Sequence, residues 1–194
     1  MTVFFQHVGE AGAARDFPRT IGTERAGLIR YELSEISTYL HPLLSDEVES
    51  IEAITKVETP KGFQIWGIPA GARPVLRRMA HGDYLLLLET IGEGGLFTYG
   101  GRVVARLSRE LPAFSKFLWT EARFPIIIFL DGDLLRYGWP DFRNRFGFAP
   151  NFDPRGRTYR LLPDRIRAAG FASESAFWRH VQSHVLRPKA TTAS

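Results

Sequence analysis

The chain contains no cysteine among its 194 residues. It can therefore form neither a disulfide nor a thiolate metal site, and this composition fits a reducing compartment. Long hydrophobic runs are missing too, because no apolar stretch approaches the roughly 18 residues of a transmembrane helix. The N-terminal sequence MTVFFQHVGE lacks the basic region and apolar core of a signal peptide. We therefore expect a soluble, cytoplasmic protein.

The length and the hydrophobic content indicate the size of the fold. Of the 194 residues, 44% are hydrophobic, which allows one sizeable core, whereas two complete domains would each be small. We therefore expect one main domain with an N-terminal extension.

Charge is distributed unevenly along the chain. Residues 1–60 carry five basic and ten acidic side chains, whereas residues 61–194 carry twenty basic and eleven acidic ones. The two segments thus have net charges of −5 and +9, which together give the net charge of +4. A basic body with an acidic N-terminal segment favours a polyanion bound through one face, and an ordinary basic surface is the alternative.

Hydrophobic periodicity predicts a mixture of short strands and helices. Strands are predicted at 3–8, 63–68, 84–89, 96–107 and 125–130. Helices are predicted at 33–44, 46–56, 72–80, 161–169 and 173–185, and 111–119 is helical or irregular. Because proline disfavours helix for the residue before it, residues 16–21 around Pro18 are predicted to be extended, and Asp131-Gly132-Asp133 is predicted to form a turn. The pattern favours a mixed α+β fold with a small barrel flanked by helices.

Aromatic residues recur where the predicted strands begin or end. Trp66 precedes a Gly-Ile-Pro loop, Phe97 and Tyr99 open a later strand, and Trp119 comes just before the apolar run FPIIIFL. A base extruded from a helix is held by stacking on such rings and by hydrogen bonds along its edge. Since side chains alternate along a strand, Phe97 and Tyr99 should share a face and reach a pocket together or not at all. Packing of these rings in the core is the alternative.

The order of these features resembles the PUA-like superfamily, in particular its EVE and YTH domains, which bind modified bases in an aromatic pocket. The matching stretch covers about residues 63–133 and could include the strand at 3–8. The opening FFQHVGEAGAARDFPRTIGT and the basic C-terminal region are similar to the reading half of EVE–HNH enzymes. In those modification-dependent endonucleases the EVE domain binds modified cytosine in DNA and a separate HNH domain cuts.

This resemblance implies a twisted PUA-like β-barrel flanked by helices and a division of the chain. Residues 1–60 would be an N-terminal strand and an acidic helical segment packed on the barrel, 61–187 the base-binding domain, and 188–194 a flexible tail. The resemblance also implies that four aromatic residues line the modified-base pocket, namely Trp66, Phe97, Tyr99 and Trp119.

A later segment, 136–157, interleaves arginines with aromatic residues. Arginines can pair with phosphates while aromatic rings stack or insert between base steps, so the segment is interpreted as a DNA-facing loop. A packed loop with solvated arginines is the alternative. With two arginines of the helix at 72–80, the predicted contacts to the nucleic-acid backbone are Arg73, Arg77, Arg136, Arg143, Arg145, Arg155 and Arg157.

Two other constellations suggest metal chemistry. His180 and His184 lie four residues apart on a predicted helix, but no third ligand is evident. Asp131 and Asp133 could hold Mg²⁺ for phosphodiester cleavage, although Asp-Gly is also a common turn sequence. The five histidines lack the pairing of an HNH metal finger, so we expect no metal site, no cofactor and no catalytic residue in this chain.

The sequence therefore favours a non-catalytic reader that flips and recognises modified cytosine, 5-methylcytosine or 5-hydroxymethylcytosine, in double-stranded DNA. It would be the sensing module of a modification-dependent restriction system, and any nuclease activity would come from a separate domain or partner. The alternatives are an RNA-modification reader of YTH type, a metal-dependent nuclease that uses Asp131 and Asp133, and a protein-interaction module whose aromatic residues are only core.

Overall fold

The computed structural model describes residues 1–186. A six-stranded sheet is formed by β1 (Val3–His7), β4 (Gln64–Ile68), β5 (Tyr84–Leu88), β6 (Leu96–Arg106), β7 (Ile126–Gly138) and β8 (Thr158–Leu161). A small hairpin consists of β2 (Gly22–Thr23) and β3 (Gly27–Leu28). The helices are α1 (Glu10–Thr20), α2 (Leu33–Ile36), α3 (Ser45–Glu58), α4 (Arg73–Leu76), α5 (Pro112–Trp119), α6 (Trp139–Arg145), α7 (Pro163–Ala168) and α8 (Glu174–Gln182). Two 3₁₀ turns lie at Ser37–Tyr39 and Ala70–Ala72.

The strand order in the large sheet is β4-β7-β6-β5-β1-β8. In this sheet β1 and β5 pair in parallel, whereas the other neighbouring strands pair in antiparallel fashion. Long hairpin-like pairings of this kind, with helices packed around them, make the fold α+β, as the sequence predicts.

The sheet is strongly curled. The indole Nε1 of Trp66 on β4 donates a hydrogen bond to Oε1 of Gln6 on β1 at 3.2 Å. Four strand-to-strand steps separate β4 from β1 in the sheet, and in a flat sheet these would span about 19 Å at 4.8 Å a step. The two sides of the sheet therefore meet, which gives the barrel-like shape that the sequence predicts.

Three hydrophobic clusters hold this sheet. The concave face packs with α1 in an inner core that contains Phe4, Phe17, Leu87, Tyr99 and Ile128. The convex face is divided between two outer cores. One lies under α6 and α8 and includes Phe5, Phe97, Tyr137, Phe142 and Phe177. The other lies under α2, α3 and α5 and includes Ile36, Ile51, Phe114, Trp119 and Phe129.

The prediction that residues 16–21 are extended is wrong, because residues 16–20 belong to α1. Pro18 lies in the last turn, so its missing N–H removes a single helical hydrogen bond, and Ile21 N still donates to Phe17 O at 3.1 Å. Ala13, Phe17 and Thr20 are buried on one face of the helix. Burial of this face outweighs the local effect of the proline.

The predicted turn at Asp131-Gly132-Asp133 is also wrong, since β7 runs straight through it. A Cβ atom on Gly132 would lie 2.3 Å from the backbone oxygen of Gly100 and 2.4 Å from Cα of Gly101 on β6. The glycines therefore permit a close approach of two strands rather than a change of direction.

The interpretation of 136–148 as a DNA-facing loop is wrong for its aromatic residues. Trp139, Phe142 and Phe146 have the spacing of one helix face and are buried against an outer core.

The strand β8 at Thr158–Leu161 was not predicted. Within residues 1–186, no helix is long and apolar enough to cross a membrane. The predicted flexible tail at 188–194 lies outside the described residues.

Candidate functional site

A cavity of about 450 Å³ opens where the two sides of the curled sheet meet. Its walls come from the C-terminal end of β1, from α1, from the end of β4 with the turn that follows, and from the start of β8. The cavity is lined by the polar or aromatic residues Gln6, His7, Arg15, Asp16, Trp66, Phe124, Arg157 and Thr158, and by the smaller residues Val8, Gly12, Pro69, Gly71, Ala72, Pro74, Val75 and Gly156. In volume it is comparable to small-molecule sites in other proteins.

Trp66 is fixed in the cavity wall from two sides. It is only 2% exposed, its Nε1 is bonded to Gln6, and Phe17 of α1 meets its ring edge-to-face at 5.6 Å. The next residue is Gly67, where a Cβ would lie 2.4 Å from the ring of Trp119. The Trp-Gly sequence thus places one tryptophan on the cavity side of β4 and admits a second ring against the opposite side.

Asp16 contributes a buried carboxylate to the same cavity and is 2% exposed. Arg15 donates to both of its oxygens, from Nε at 2.8 Å and from Nη2 at 2.9 Å. Arg123 Nη2 lies 3.7 Å from Oδ2. The two guanidinium groups compensate the buried negative charge, which would otherwise be very costly.

Sequence reasoning missed Asp16 because the proline at position 18 led to an extended prediction for residues 16–21. If the segment is written as a helix, Asp16 stands next to Phe17 on the face that also buries Ala13 and Thr20. An acidic residue on the apolar face of a short helix is the signal that could have identified it.

Three further polar residues complete the cavity. Gln6 and Thr158 are buried and directly opposite each other on β1 and β8. His7 lies at the end of β1, and burial lowers the pKa of its imidazole, while Asp153 raises this pKa and Arg155 lowers it. The net lowering of the pKa favours the neutral imidazole.

The structure does not bring the four predicted pocket aromatics together. Trp66 lines the cavity, but Trp119 packs in an outer core on the other side of Gly67. Tyr99 is buried in the inner core, where its hydroxyl donates to Gln64 Oε1 at 3.1 Å. Phe97 lies in the outer core under α6 and α8.

The expectation that Phe97 and Tyr99 share a face is wrong. The register between β6 and its neighbours shifts between these two residues, which pair with Leu88 and Leu87 of β5. A β-bulge inserts an extra residue and so reverses the alternation of side chains. Neither ring lines the cavity.

The predicted backbone-contacting arginines are dispersed. Arg157 is exposed, lines the cavity and has no ion-pair partner within residues 1–186.

Arg155 pairs with Asp153, and Arg136 pairs with Glu24. Arg143 donates to Pro150 O at 2.9 Å, and Arg145 lies over the ring of Phe171 at 5.4 Å.

Arg73 and Arg77 line a separate cleft beside α4. Among the predicted arginines, Arg157 is therefore the one that adjoins the cavity directly.

Among the described residues, the fold does not bring a set of metal ligands together at either of the two alternative metal sites. His180 and His184 pack around Tyr137, with ring centroids 5.0 Å apart. Asp131 is paired with Arg30 at 3.4 Å. Over residues 1–186, no group of three or more histidine, aspartate or glutamate side chains is arranged to hold a metal ion.

The curled six-stranded sheet with its flanking helices is an α+β fold that is found in a solved protein structure. A solved structure with the same fold is the N-terminal domain of Thermococcus gammatolerans McrB bound to m5C DNA, with a TM-score of 0.60 and 13% sequence identity. The alignment covers 93% of this chain and 99% of that one. No protein-family model and no curated protein sequence matches the chain. This likeness confirms the fold that the sequence resemblance implies.

Proposed function

We propose that this protein is a non-catalytic reader of modified cytosine in double-stranded DNA. The observation that carries the proposal is the cavity that combines Trp66 with the buried carboxylate of Asp16. The proposal is also supported by the fold, because the McrB domain that shares it was solved bound to m5C DNA. This cavity replaces the four-ring pocket expected from the sequence.

An aromatic wall and an enclosed volume suit a single extruded base. Base–aromatic stacking contributes about 1–3 kcal/mol, which can offset the few kcal/mol needed to unstack and unpair the nucleotide. Trp66 is the ring we assign to this role, because it lines the cavity and its orientation is fixed by Gln6 and Phe17. Since the ring is 2% exposed, the base must displace part of the packing around it in order to stack on its face. A fixed ring loses little conformational entropy when the base enters.

Asp16 supplies the selection for cytosine. The exocyclic N4 amino group of cytosine donates hydrogen bonds, and a carboxylate accepts them. The O4 atom of thymine carries a partial negative charge, so the carboxylate would repel it. This distinction matters because 5-methylcytosine and thymine both carry a methyl group at C5. A reader of methylated cytosine needs a group that senses the N4 position as well as space for the methyl group.

The basic surface supplies affinity that does not depend on sequence. Arg157 lines the cavity and is exposed, and it is the arginine that we assign to the phosphates beside an extruded nucleotide. Such contacts release counterions, so binding should weaken steeply as salt increases. In this proposal the chain senses the modification for a restriction system, and cleavage of DNA belongs to a separate domain or partner.

A binding panel tests the function. One duplex sequence is prepared with cytosine, 5-methylcytosine or 5-hydroxymethylcytosine at a single position, and its dissociation constant is measured at several salt concentrations. We expect at least one modified duplex to bind about 10-fold or more tightly than the unmodified one, which corresponds to about 1.4 kcal/mol. Equal affinity for all three duplexes would exclude the proposal. Preferential binding of a single-stranded RNA that carries N6-methyladenine would support the RNA reader instead.

A further inference from the structure

We propose that a cleft on the other side of α4 binds a backbone phosphate of the DNA whose base occupies the cavity. The cleft has a volume of about 200 Å³ and four arginines in its wall. Its lining consists of Arg73, Arg77, Arg106, Leu107, Ser108, Arg109, Glu110 and Ile126. This inference rests on the proposed function.

Two segments that are distant in sequence assemble the cleft. Arg73 and Arg77 are four residues apart and so project from one side of the short α4 turn. Arg106 ends β6, and Arg109 follows in the connection to α5. The convergence of four guanidinium groups therefore results from the tertiary fold and is not visible as a run of basic residues.

Backbone and side-chain acceptors hold three of these arginines in place. Arg106 Nε donates to Met79 O at 3.2 Å, Arg109 Nη1 donates to Pro42 O at 3.0 Å, and Arg73 Nε donates to Glu110 Oε1 at 2.6 Å. Each guanidinium has five N–H donors, so these contacts orient the groups and leave further donors for a ligand. Arg77 is exposed and has no ion-pair partner within residues 1–186.

The charge of the cleft favours an anion. Glu110 is the single carboxylate in the lining, so the lining carries a net charge of +3. A second carboxylate, that of Glu47, is close by but is engaged by Ser108, whose backbone N donates to Glu47 Oε1 at 2.8 Å. Arginine binds phosphate through paired N–H groups, which suits a tetrahedral anion better than it suits a simple halide.

The residues that line the cleft favour a phosphate over a whole nucleotide as the ligand. Among the described residues that line the cleft none is aromatic, and the apolar ones are Leu107 and Ile126. There is consequently no surface on which a base could stack. A backbone phosphate, whose base lies elsewhere, is the ligand that this chemistry recognises.

The position of the cleft relates it to the cavity. Ala72, Pro74 and Val75 line the cavity, whereas Arg73 and Arg77 line the cleft, so the same short helix separates the two. A helix is about 10 Å across, and phosphates of one strand are spaced about 3.4 Å along the duplex axis. The cleft is therefore close enough to the cavity for a backbone phosphate within a few nucleotides of the extruded base.

The test compares two double variants that remove the same charge. R77A/R109A alters the cleft, and R167A/R179A alters exposed arginines on α7 and α8, which pack on an outer core. Dissociation constants for the unmodified and modified duplexes are measured as a function of salt. We expect R77A/R109A to reduce the log–log slope by about 0.9 for both duplexes, the value for the one phosphate that is no longer neutralised, and the control pair to leave it unchanged.

A charge-preserving variant separates geometry from charge. R77K/R109K keeps both charges but loses the paired N–H groups, so we expect weaker binding at every salt concentration with a nearly wild-type slope. An unchanged slope for R77A/R109A, or the same change in the control pair, would overturn the proposal that the cleft binds phosphate. If the wild-type protein does not discriminate modified DNA but the slope still falls in R77A/R109A alone, the reader proposal fails and the phosphate site stands.

Discussion

Arg15 donates two hydrogen bonds to Asp16, its neighbour in sequence, at 2.8 and 2.9 Å, so one guanidinium engages both oxygens of the buried carboxylate. A carboxylate offers about four acceptor positions. With Arg15 occupying two of them and Arg123 3.7 Å away, Asp16 keeps the capacity to accept from a ligand. The arginines thus engage part of the buried carboxyl group and leave acceptor positions for a ligand.

Asp16→Asn should weaken the preference for 5-methylcytosine over thymine. The amide has nearly the same shape as the carboxylate, but it has one acceptor oxygen and its NH₂ group can donate to O4 of thymine. The measurement compares a duplex that carries a 5-methylcytosine·G pair with one that carries a T·G mismatch at the same position. We expect the selectivity to fall by about 1–3 kcal/mol, the discrimination associated with one good base contact.

Asp16→Asn also removes the negative charge beside Arg15 and Arg123, so the variant needs a thermal melt and a salt series beside the selectivity assay. Affinity for unmodified duplex should change little. If the folded variant still discriminates 5-methylcytosine from thymine as the wild type does, Asp16 is not the group that senses the N4 position.

Trp66→Ala should abolish discrimination between modified and unmodified duplexes while leaving weak, salt-sensitive binding to both. Stacking, about 1–3 kcal/mol for each base, would disappear, whereas the contacts to phosphates would remain. The indole is nearly fully buried, and removing such a side chain costs about 3–5 kcal/mol of stability, a large part of the roughly 5–15 kcal/mol of a typical domain.

Trp66→Phe is the companion variant, because it keeps an aromatic face and removes the Nε1 donor to Gln6. It should retain most of the selectivity and lose less stability. Fluorescence competition against the same three duplexes measures both variants. Full selectivity in a folded Trp66→Ala protein would show that this ring does not bind the base.

Most strands were predictable because their side chains serve only to pack in the hydrophobic core. The segments at β4, β5 and the first half of β7 are short apolar runs bounded by turn signals, and the structure confirms them. Predictions failed where a tertiary contact outweighed a local preference. Pro18 is tolerated because α1 buries a whole face, and Gly132 serves a close strand approach that no local signal reveals.

The candidate site was less predictable for the same reason. Trp66 was identified from its position at a strand end, but its partners Asp16 and Gln6 come from elements about 50 and 60 residues away, a separation that a local pattern cannot bridge. The bulge between Phe97 and Tyr99 reverses the facing of one ring without any marker in the sequence. The spacing of Trp139, Phe142 and Phe146 is a local signal that does predict a buried helix face, as does the position of Asp16 on the apolar face of α1.

Arg157→Ala should weaken binding to modified and unmodified duplexes by a similar factor and flatten the log–log salt slope by about 0.9. The reason is that Arg157 is exposed at the cavity and lacks an ion-pair partner among the described residues. Arg143→Ala provides the contrast, because its guanidinium is half-buried and donates to Pro150 O. That variant should lower the melting temperature and leave the slope unchanged. If Arg143→Ala flattened the salt slope and Arg157→Ala did not, the DNA contact would belong to α6 and not to the cavity.

Acidification should destabilise the protein as the pH falls below about 6.5. Burial is the main cause that lowers the pKa of both His7 and His180 in the folded state. Between those lowered pKa values and about 6.5 the unfolded chain binds more protons, so stability is lost as the pH falls through this window. Melting temperatures between pH 7.5 and 5 measure the effect.

The double variant H7Q/H180Q should show a flatter dependence over the same pH range. The lowered pKa values of Glu58 and of Asp153, the latter to about 2, act in more acidic solution and do not interfere. A melting temperature that falls equally in the wild type and the double variant would assign the effect to other groups.

This chain alone should not cut DNA with any divalent metal. Asp131 and Asp133 border a groove that also contains Arg30, Arg102 and Arg179, and these guanidinium groups disfavour a bound cation. Asp131 is already paired with Arg30, and burial raises the pKa of the Asp133 carboxyl while Arg30 lowers it. Metal-dependent phosphodiester cleavage needs several hard oxygen ligands around one or two ions, and residues 1–186 provide no such group.

The cleavage assay incubates modified and unmodified plasmid with the protein in Mg²⁺ or Mn²⁺ and compares it with Asp131→Asn and Asp133→Asn. Intact DNA together with modification-dependent binding is the expected result, because neither aspartate has the partners that a metal ion requires. Cleavage that disappears in either variant would establish a nuclease, whereas cleavage that persists in both would identify a contaminant.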